Sequence, residues 1–272
     1  MFHLQKATQV TYDDELHLLT ELYRYPPRPS SGPGAGAPFV RANMVSSIDG
    51  AVTYDGKSGG LGGPGDKALF RVLRGLADVI LVGAGTATTE GYGQPGPDEA
   101  LAAHRESLGQ APAPALALVS RSLSVPPDYE PISDPNTVIL TCTSAPTDRR
   151  QGLLDAGATL VDCGDDTVST SAILEHCADR GWSRVLCEGG PSLLGSLVSA
   201  DAVDELCLTT SPHLVGGNAG RIAVTGDSAS GNSSASGDSS AVLHALRPAS
   251  IITDDDGFVF TRWLRHGRSS TR

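Results

Sequence analysis

The sequence predicts an α/β fold on a mostly parallel sheet, and three observations carry that prediction. First, two apolar runs end in glycine and open onto helix-like sequence. One is Ala77-Asp78-Val79-Ile80-Leu81-Val82-Gly83-Ala84-Gly85-Thr86; the other is Ser183-Arg184-Val185-Leu186-Cys187-Glu188-Gly189-Gly190-Pro191-Ser192. A strand buried on both faces reads as such a continuous run. Second, strand-like and helix-like segments alternate from Phe39 onward, the pattern of a sheet flanked by helices. Third, Gly257-Phe258-Val259-Phe260-Thr261-Arg262-Trp263 alternates apolar and polar residues after an Asp254-Asp255-Asp256-Gly257 turn, which predicts an antiparallel edge strand.

In chain order, Asp13 to Tyr23 reads as a helix with Leu16, Leu19, Leu22 and Tyr23 on one face and acidic residues at its start. Pro26 to Pro38 is rich in Pro, Gly and Ser and reads as a linker wrapping the body. Residues 1–38 are thus an N-terminal helix and linker, and 39–265 are one domain. Strands are expected at 39–47, 77–83, 115–119, 137–142, 158–163, 183–187, 204–211 and 257–265. Helices are expected at 65–76, 148–156, 169–180 and 191–199. Gly91 to Pro114 breaks the pattern around a short helical piece. Gly226 to Ser240 is low in complexity, so a flexible surface loop is expected at about 226–240.

Composition narrows the function. The 272 residues carry a formal net charge of −11, without the basic excess of a nucleic-acid binder. No apolar run has membrane length and no secretory pattern follows Met1, which predicts a cytoplasmic protein without a membrane partner. Cys142, Cys163, Cys177, Cys187 and Cys207 are scattered and form no Cys-x-x-Cys pair, so buried free thiols are expected. The histidines show no metal-ligand spacing, and no metal site is expected. Hydrolase and P-loop signatures are absent.

Three places could carry chemistry. Gly83-Ala84-Gly85-Thr86 lacks the third glycine of the dinucleotide fingerprint; a tight connection and a phosphate turn both remain open there. Glu188-Gly189-Gly190-Pro191-Ser192-Leu193 is more specific. Glu188 ends a strand, where open α/β sheets bind ligands. Pro191 suits a first helical turn, and the N–H groups of Gly190 to Leu193 would then face an anion. Ser46-Ser47-Ile48-Asp49-Gly50 ends the first strand; it is either a simple turn or a second carboxylate beside Glu188. Two carboxylates there suit a donor-rich ring such as an aminopyrimidine or pterin.

Four motifs stand in one order: Met44-Val45-Ser46-Ser47-Ile48-Asp49-Gly50, then Leu73 to Thr86, then Glu188 to Leu193, then Val203-Asp204-Glu205-Leu206 with Pro212-His213-Leu214-Val215-Gly216-Gly217. Over residues 39–265 they resemble the pyrimidine reductase domain of riboflavin biosynthesis, from the bifunctional deaminase/reductase family, which has a dihydrofolate reductase-like fold. No zinc deaminase motif accompanies them, which implies a monofunctional reductase. The resemblance implies NADPH as cofactor and hydride transfer to C1′ of a ring-opened ribosylaminopyrimidine phosphate. It implies that Thr86 and Glu90 contact the cofactor, that Gly83 and Gly85 shape the first turn, and that Gly189, Gly190, Pro191, Ser192 and Leu193 cradle phosphates. Ser58 borders the nicotinamide, and Arg121 is either the 2′-phosphate contact or a surface arginine. Asp49 and Glu188 face the substrate as the catalytic carboxylates, with Ser47 and Asn43 beside them. Asn43 stands where the family commonly has lysine, and the arginine that commonly follows Thr86 is replaced by Glu90-Gly91-Tyr92-Gly93-Gln94-Pro95-Gly96-Pro97. Lys67 and Arg71 are the candidates to replace its charge. A dihydropterin or dihydrofolate reductase and a non-catalytic nucleotide-binding protein are the alternative readings. The family commonly forms homodimers, to which strand 257–265 is expected to contribute.

Overall fold

The computed structural model describes residues 12–27, 36–225 and 243–265. The expected 226–240 loop and much of the linker lie outside the described residues. Helix α1 (Tyr12–Leu22) precedes strand β1 (Phe39–Ser47). There follow α2 (Pro64–Leu76), β2 (Val79–Gly83), α3 (Ala84–Glu90), α4 (Glu99–Ser107), β3 (Ala115–Val119), β4 (Thr137–Thr141), α5 (Thr147–Asp155) and β5 (Leu160–Asp162). Then come α6 (Thr170–Asp179), β6 (Arg184–Cys187), α7 (Pro191–Ser199), β7 (Glu205–Ser211), β8 (Leu246–Thr253) and β9 (Val259–Arg265).

The described strands form a nine-stranded sheet in the order β5-β4-β3-β2-β6-β1-β7-β9-β8. Strands β1 to β7 are parallel neighbours, and β9 runs antiparallel to both β7 and β8. The mixed, mostly parallel sheet of the sequence reading is therefore present. Its central strands are apolar on both faces because helices cover both. Helices α6 and α7 pack on one side, around Val40, Leu81, Val185 and Leu197. On the other, α3 and α5 close over Ile80, Leu118 and Ile139, while α1 and α2, the latter through Leu73, close over Leu186 and Cys207. All five cysteines are buried free thiols.

One expectation is corrected. Strand β9 is antiparallel, but it is not the edge, because β8 pairs on its far side. The 257–265 segment therefore offers no free strand edge to a second subunit. Sequence reading passed over β8 because Pro248 interrupts it and its residues are largely exposed. An outermost strand tolerates such a proline, and the register shifts between Pro248 and Ser250.

The N-terminal helix is tied to the sheet. Arg41 on β1 and Glu205 on β7 are both fully buried and bond at 2.6 Å. Arg262 on β9 reaches the second Glu205 oxygen at 2.8 Å and the Leu22 carbonyl at 2.7 Å. The Tyr25 ring lies 4.0 Å from the Arg41 guanidinium, and Tyr23 is fully buried. The end of α1 is thereby fastened across the three strands.

Candidate active site

The two glycine turns meet. Strands β2 and β6 pair as far as Leu81 and Cys187, so their C-terminal ends emerge side by side. The Glu188 N–H donates to the Leu81 carbonyl at 3.0 Å, and the Gly83 N–H donates to the Gly189 carbonyl at 2.8 Å. The approach is close enough to favour glycine at two positions. A Cβ on Gly190 would lie 2.3 Å from Thr86 Oγ1, and one on Gly83 would lie 3.3 Å from the Gly190 nitrogen. Gly85 is different: a Cβ there meets nothing within 4 Å, so its absence leaves open space above the turn. The Gly189–Gly190 peptide is cis.

Helix α7 begins at this junction with Gly190 as N-cap and Pro191 in its first turn. Its first bond runs from the Leu194 N–H to the Gly190 carbonyl at 3.0 Å. The N–H groups of Ser192 and Leu193 therefore lack intrahelical acceptors and suit a phosphate. The Leu193 side chain is buried in the core, so only its backbone faces a ligand. The cradle thus fits a dinucleotide phosphate: closely approached glycines, free N–H groups and no side chain in the way.

Ser58 and Glu90 are also brought together. The Ser58 N–H donates to Glu90 Oε1 at 2.7 Å, joining the turn after β1 to the end of α3. The remaining expected residues divide. Lys67 is exposed on α2. Arg71 is held by Asp98, the N-cap of α4, with Nη2 2.7 Å from Oδ1. Arg121 is exposed beyond β3, which lies three strand positions, about 14 Å, from β1.

The two carboxylates have different surroundings. Glu188 is buried, and Arg74 holds both its oxygens at 2.8 and 2.7 Å. Arg74 lies between the rings of Phe70 and Tyr92, 4.1 and 4.8 Å from their centres. Burial opposes the Arg74 charge, but Glu188 outweighs it and raises the guanidinium above its ordinary value. Burial, reinforced by the Glu188 charge, pushes the Tyr92 hydroxyl well above the usual range. Sequence reading missed Arg74 and Tyr92 as a pair around Glu188. Arg74 stands in the quoted Leu73-Arg74-Gly75 motif, but nothing local links it to a residue 114 positions away.

Asp49 is exposed and accepts three bonds: from Ser47 Oγ at 2.5 Å, Gly216 N–H at 2.7 Å and Val215 N–H at 3.2 Å. The Ser47 hydroxyl first, then the two N–H groups, hold its carboxyl at about 2. It therefore remains ionised across the neutral range. Between the Asp49 turn and the 216–222 segment lies a cleft of about 440 Å³. Asn43, on the opposite pleat face from Ala42, has a buried Oδ1 that accepts no bond from a described residue.

The pH consequence of Asp49 has a definite sign. Its carboxyl is depressed from 3.8 to about 2, so the tie to residues 215 and 216 is complete above 3.8 and fails as pH falls through about 2. The expected result is a kcat/KM profile with no Asp49 limb between about pH 4 and 8. In Asp49→Asn the profile shape will not change there, while KM rises because an amide accepts from the two N–H groups less strongly. A wild-type limb near pH 6 that Asp49→Asn abolishes would contradict this geometry.

Residues 38–260 match the model of the family described as RibD C-terminal domain. The 2,5-diamino-6-ribosylamino-4(3H)-pyrimidinone 5′-phosphate reductase of Methanothermobacter thermautotrophicus is 26% identical over 190 residues, 70% of this chain and 85% of that protein. The reductase of the same name from Archaeoglobus fulgidus is 28% identical over 182 residues, 66% of this chain and 83% of that protein. Among solved structures, a pyrimidine reductase-like protein from Corynebacterium diphtheriae has a TM-score of 0.72 at 28% identity, covering 84% of this chain and 92% of that one. No helix among the described residues is long and apolar enough to cross a membrane.

Proposed function

We propose, from the premise that the chain belongs to the RibD C-terminal domain family, that it is an NADPH-dependent reductase of a ribosylaminopyrimidine 5′-phosphate in riboflavin biosynthesis. The observation that carries the reading is the junction of the two glycine turns at the start of α7. The archaeal relatives named above carry that substrate in their names.

NADPH supplies the hydride, and the acceptor is C1′ of the open-chain imine. The chain's own residues bind and orient. Gly190, Ser192 and Leu193 hold phosphate through the backbone, with Thr86 packed against Gly190. Ser58 and Glu90 fix the turn that borders the nicotinamide. Asp49 is a permanent anion, able to stabilise positive charge on a protonated imine nitrogen rather than to donate a proton. Glu188 acts through Arg74: the pair anchors the strand end from which Gly189 and Gly190 depart.

Glu188→Gln tests that anchoring. Removing the charge leaves Arg74 without its counter-ion, and a hydrogen bond to a charged group contributes about 1.5–3 kcal/mol. We expect a lower unfolding midpoint and a higher Kd for NADPH. Unchanged cofactor affinity with a loss confined to substrate KM would instead make Glu188 a direct substrate contact.

The function is tested by following NADPH oxidation with three acceptors. Turnover of the phosphorylated ribosylaminopyrimidine supports the reading. Turnover of dihydropterin or dihydrofolate alone overturns the substrate. Tight NADPH binding without turnover of any acceptor overturns the catalytic role.

A further inference from the structure

We infer that Arg221 anchors a phosphate group of the ligand bound in the Asp49 cleft. The inference rests on the reductase reading for the ligand's identity, but its structural basis is separate. After β7 the chain turns at Gly216 and Gly217, both with left-handed φ of +67° and +70°. It then crosses the cleft as a strap. Gly220 lies against Val52, with a Cβ position 3.8 Å from Val52 Cγ2. Farther on, the Val224 N–H donates to the Pro191 carbonyl at 3.0 Å, and the Val224 carbonyl sits over Gly195, where a Cβ would lie 1.9 Å away. The strap is therefore pinned at the β1 turn, where Val215 and Gly216 N–H groups donate to Asp49, and again on α7 through Val224. Arg221 stands between the two pins and lines the cleft with Ser46, Asp49 and Gly216.

Arg221 is the cation among the cleft's lining residues, and it is exposed there. It makes no ion pair with any described residue. Asp49 bonds Ser47, Val215 and Gly216 instead. The other candidate cations do not line the cleft: Arg74 is bound to Glu188, Arg71 to Asp98, Arg121 lies beyond β3, and Lys67 is exposed on α2. A guanidinium carried into the cleft on a strap whose backbone is tied on either side matches phosphate oxygens through paired N–H donors. Two sources offer that group: the 5′-phosphate of the pyrimidine and the diphosphate of the dinucleotide.

The experiment compares wild type, Arg221→Ala and Arg221→Lys, each first shown to melt cooperatively. NADPH Kd is read by nucleotide fluorescence, KM with the phosphorylated pyrimidine and its phosphate-free nucleoside, and pyrophosphate binding by calorimetry. Losing a charged, bidentate contact corresponds to a factor of about 10 to 100. We expect Arg221→Ala to show that loss and Arg221→Lys to recover part of it. A loss confined to the phosphorylated pyrimidine assigns the substrate's phosphate; a loss in NADPH Kd assigns the cofactor's. If wild type neither binds NADPH nor turns over, the reductase reading fails. The inference then stands if Arg221→Ala abolishes pyrophosphate binding and falls if wild type and variant bind it alike or not at all. Wild-type values for NADPH, substrate and pyrophosphate in Arg221→Ala also overturn it.

Discussion

Gly190→Val will raise the Kd for NADPH by about 100-fold, equal to about 2.7 kcal/mol, in a protein that still folds. The first side-chain carbon alone would lie 2.3 Å from Thr86 Oγ1. Valine's branches leave no compact escape, so either Thr86 turns away or the β2 and β6 turns separate. Both responses disturb the cradle. Overpacking of this kind costs about 1–3 kcal/mol in stability, which a domain of ordinary stability survives. A paired variant identifies the collision as the cause. In Gly190→Ala with Thr86→Ala, the nearest Thr86 atom left is the Cβ, 3.6 Å from the new methyl, an ordinary contact. The double variant should therefore regain part of the affinity that Gly190→Ala loses. Fluorescence titration measures each Kd, and a wild-type value in Gly190→Val would remove the two-turn junction from the cofactor site.

Glu205→Ala carries the largest expected loss of stability. It leaves Arg41, fully buried, and Arg262, mostly buried, without their shared carboxylate. Breaking a buried pair by removing one partner costs about 3–5 kcal/mol, a large part of the total for a typical domain. The companion Arg41→Met with Glu205→Leu should lose much less, since it removes charge and counter-charge together. Urea unfolding of the three proteins checks this ordering. The pH dependence follows from the same group. Burial opposes ionisation of Glu205, but Arg41 and Arg262 outweigh it and hold the carboxyl below its ordinary 4.5. Its contribution is complete above pH 4.5 and is lost as pH falls through the lower folded value. Stability that fell instead on raising the pH from 5 to 7, and did so only with Glu205 present, would contradict the assignment.

The residues that were legible in sequence share a physical cause. Strands β2, β3 and β6 are covered on both faces, so burial wrote itself as unbroken apolar runs. The Gly83 and Gly190 turns were legible because side chains there would crowd the opposite turn, which favours glycine. Strand β8 was not, because an exposed outer strand needs no apolar pattern and can hold Pro248. Glu188 was found at its strand end, but its partner Arg74 belongs to α2, and no periodicity links them. The Arg71–Asp98 pair is likewise invisible in sequence, because only the folded chain places Asp98 beside it. Arg221 carried no signal of its own: one arginine in a run of Gly, Asn and Ala acquires meaning only from what the strap crosses.

The position of β1 sets an order on folding. It is the first strand made, yet its neighbours in the sheet are β6 and β7. The Arg41–Glu205 pair joins residues 164 apart in sequence. A chain emerging at about 5–20 residues per second leaves β1 without either neighbour for on the order of ten seconds. During that interval the β2-β3-β4-β5 layer can assemble by local crossovers, while β1 stays a strand with both edges open. Such non-local pairing is intrinsically slow. Chaperone dependence during synthesis should therefore peak before β6 appears and fall once β7 has left the ribosome, a sequence that nascent chains arrested at successive lengths would display.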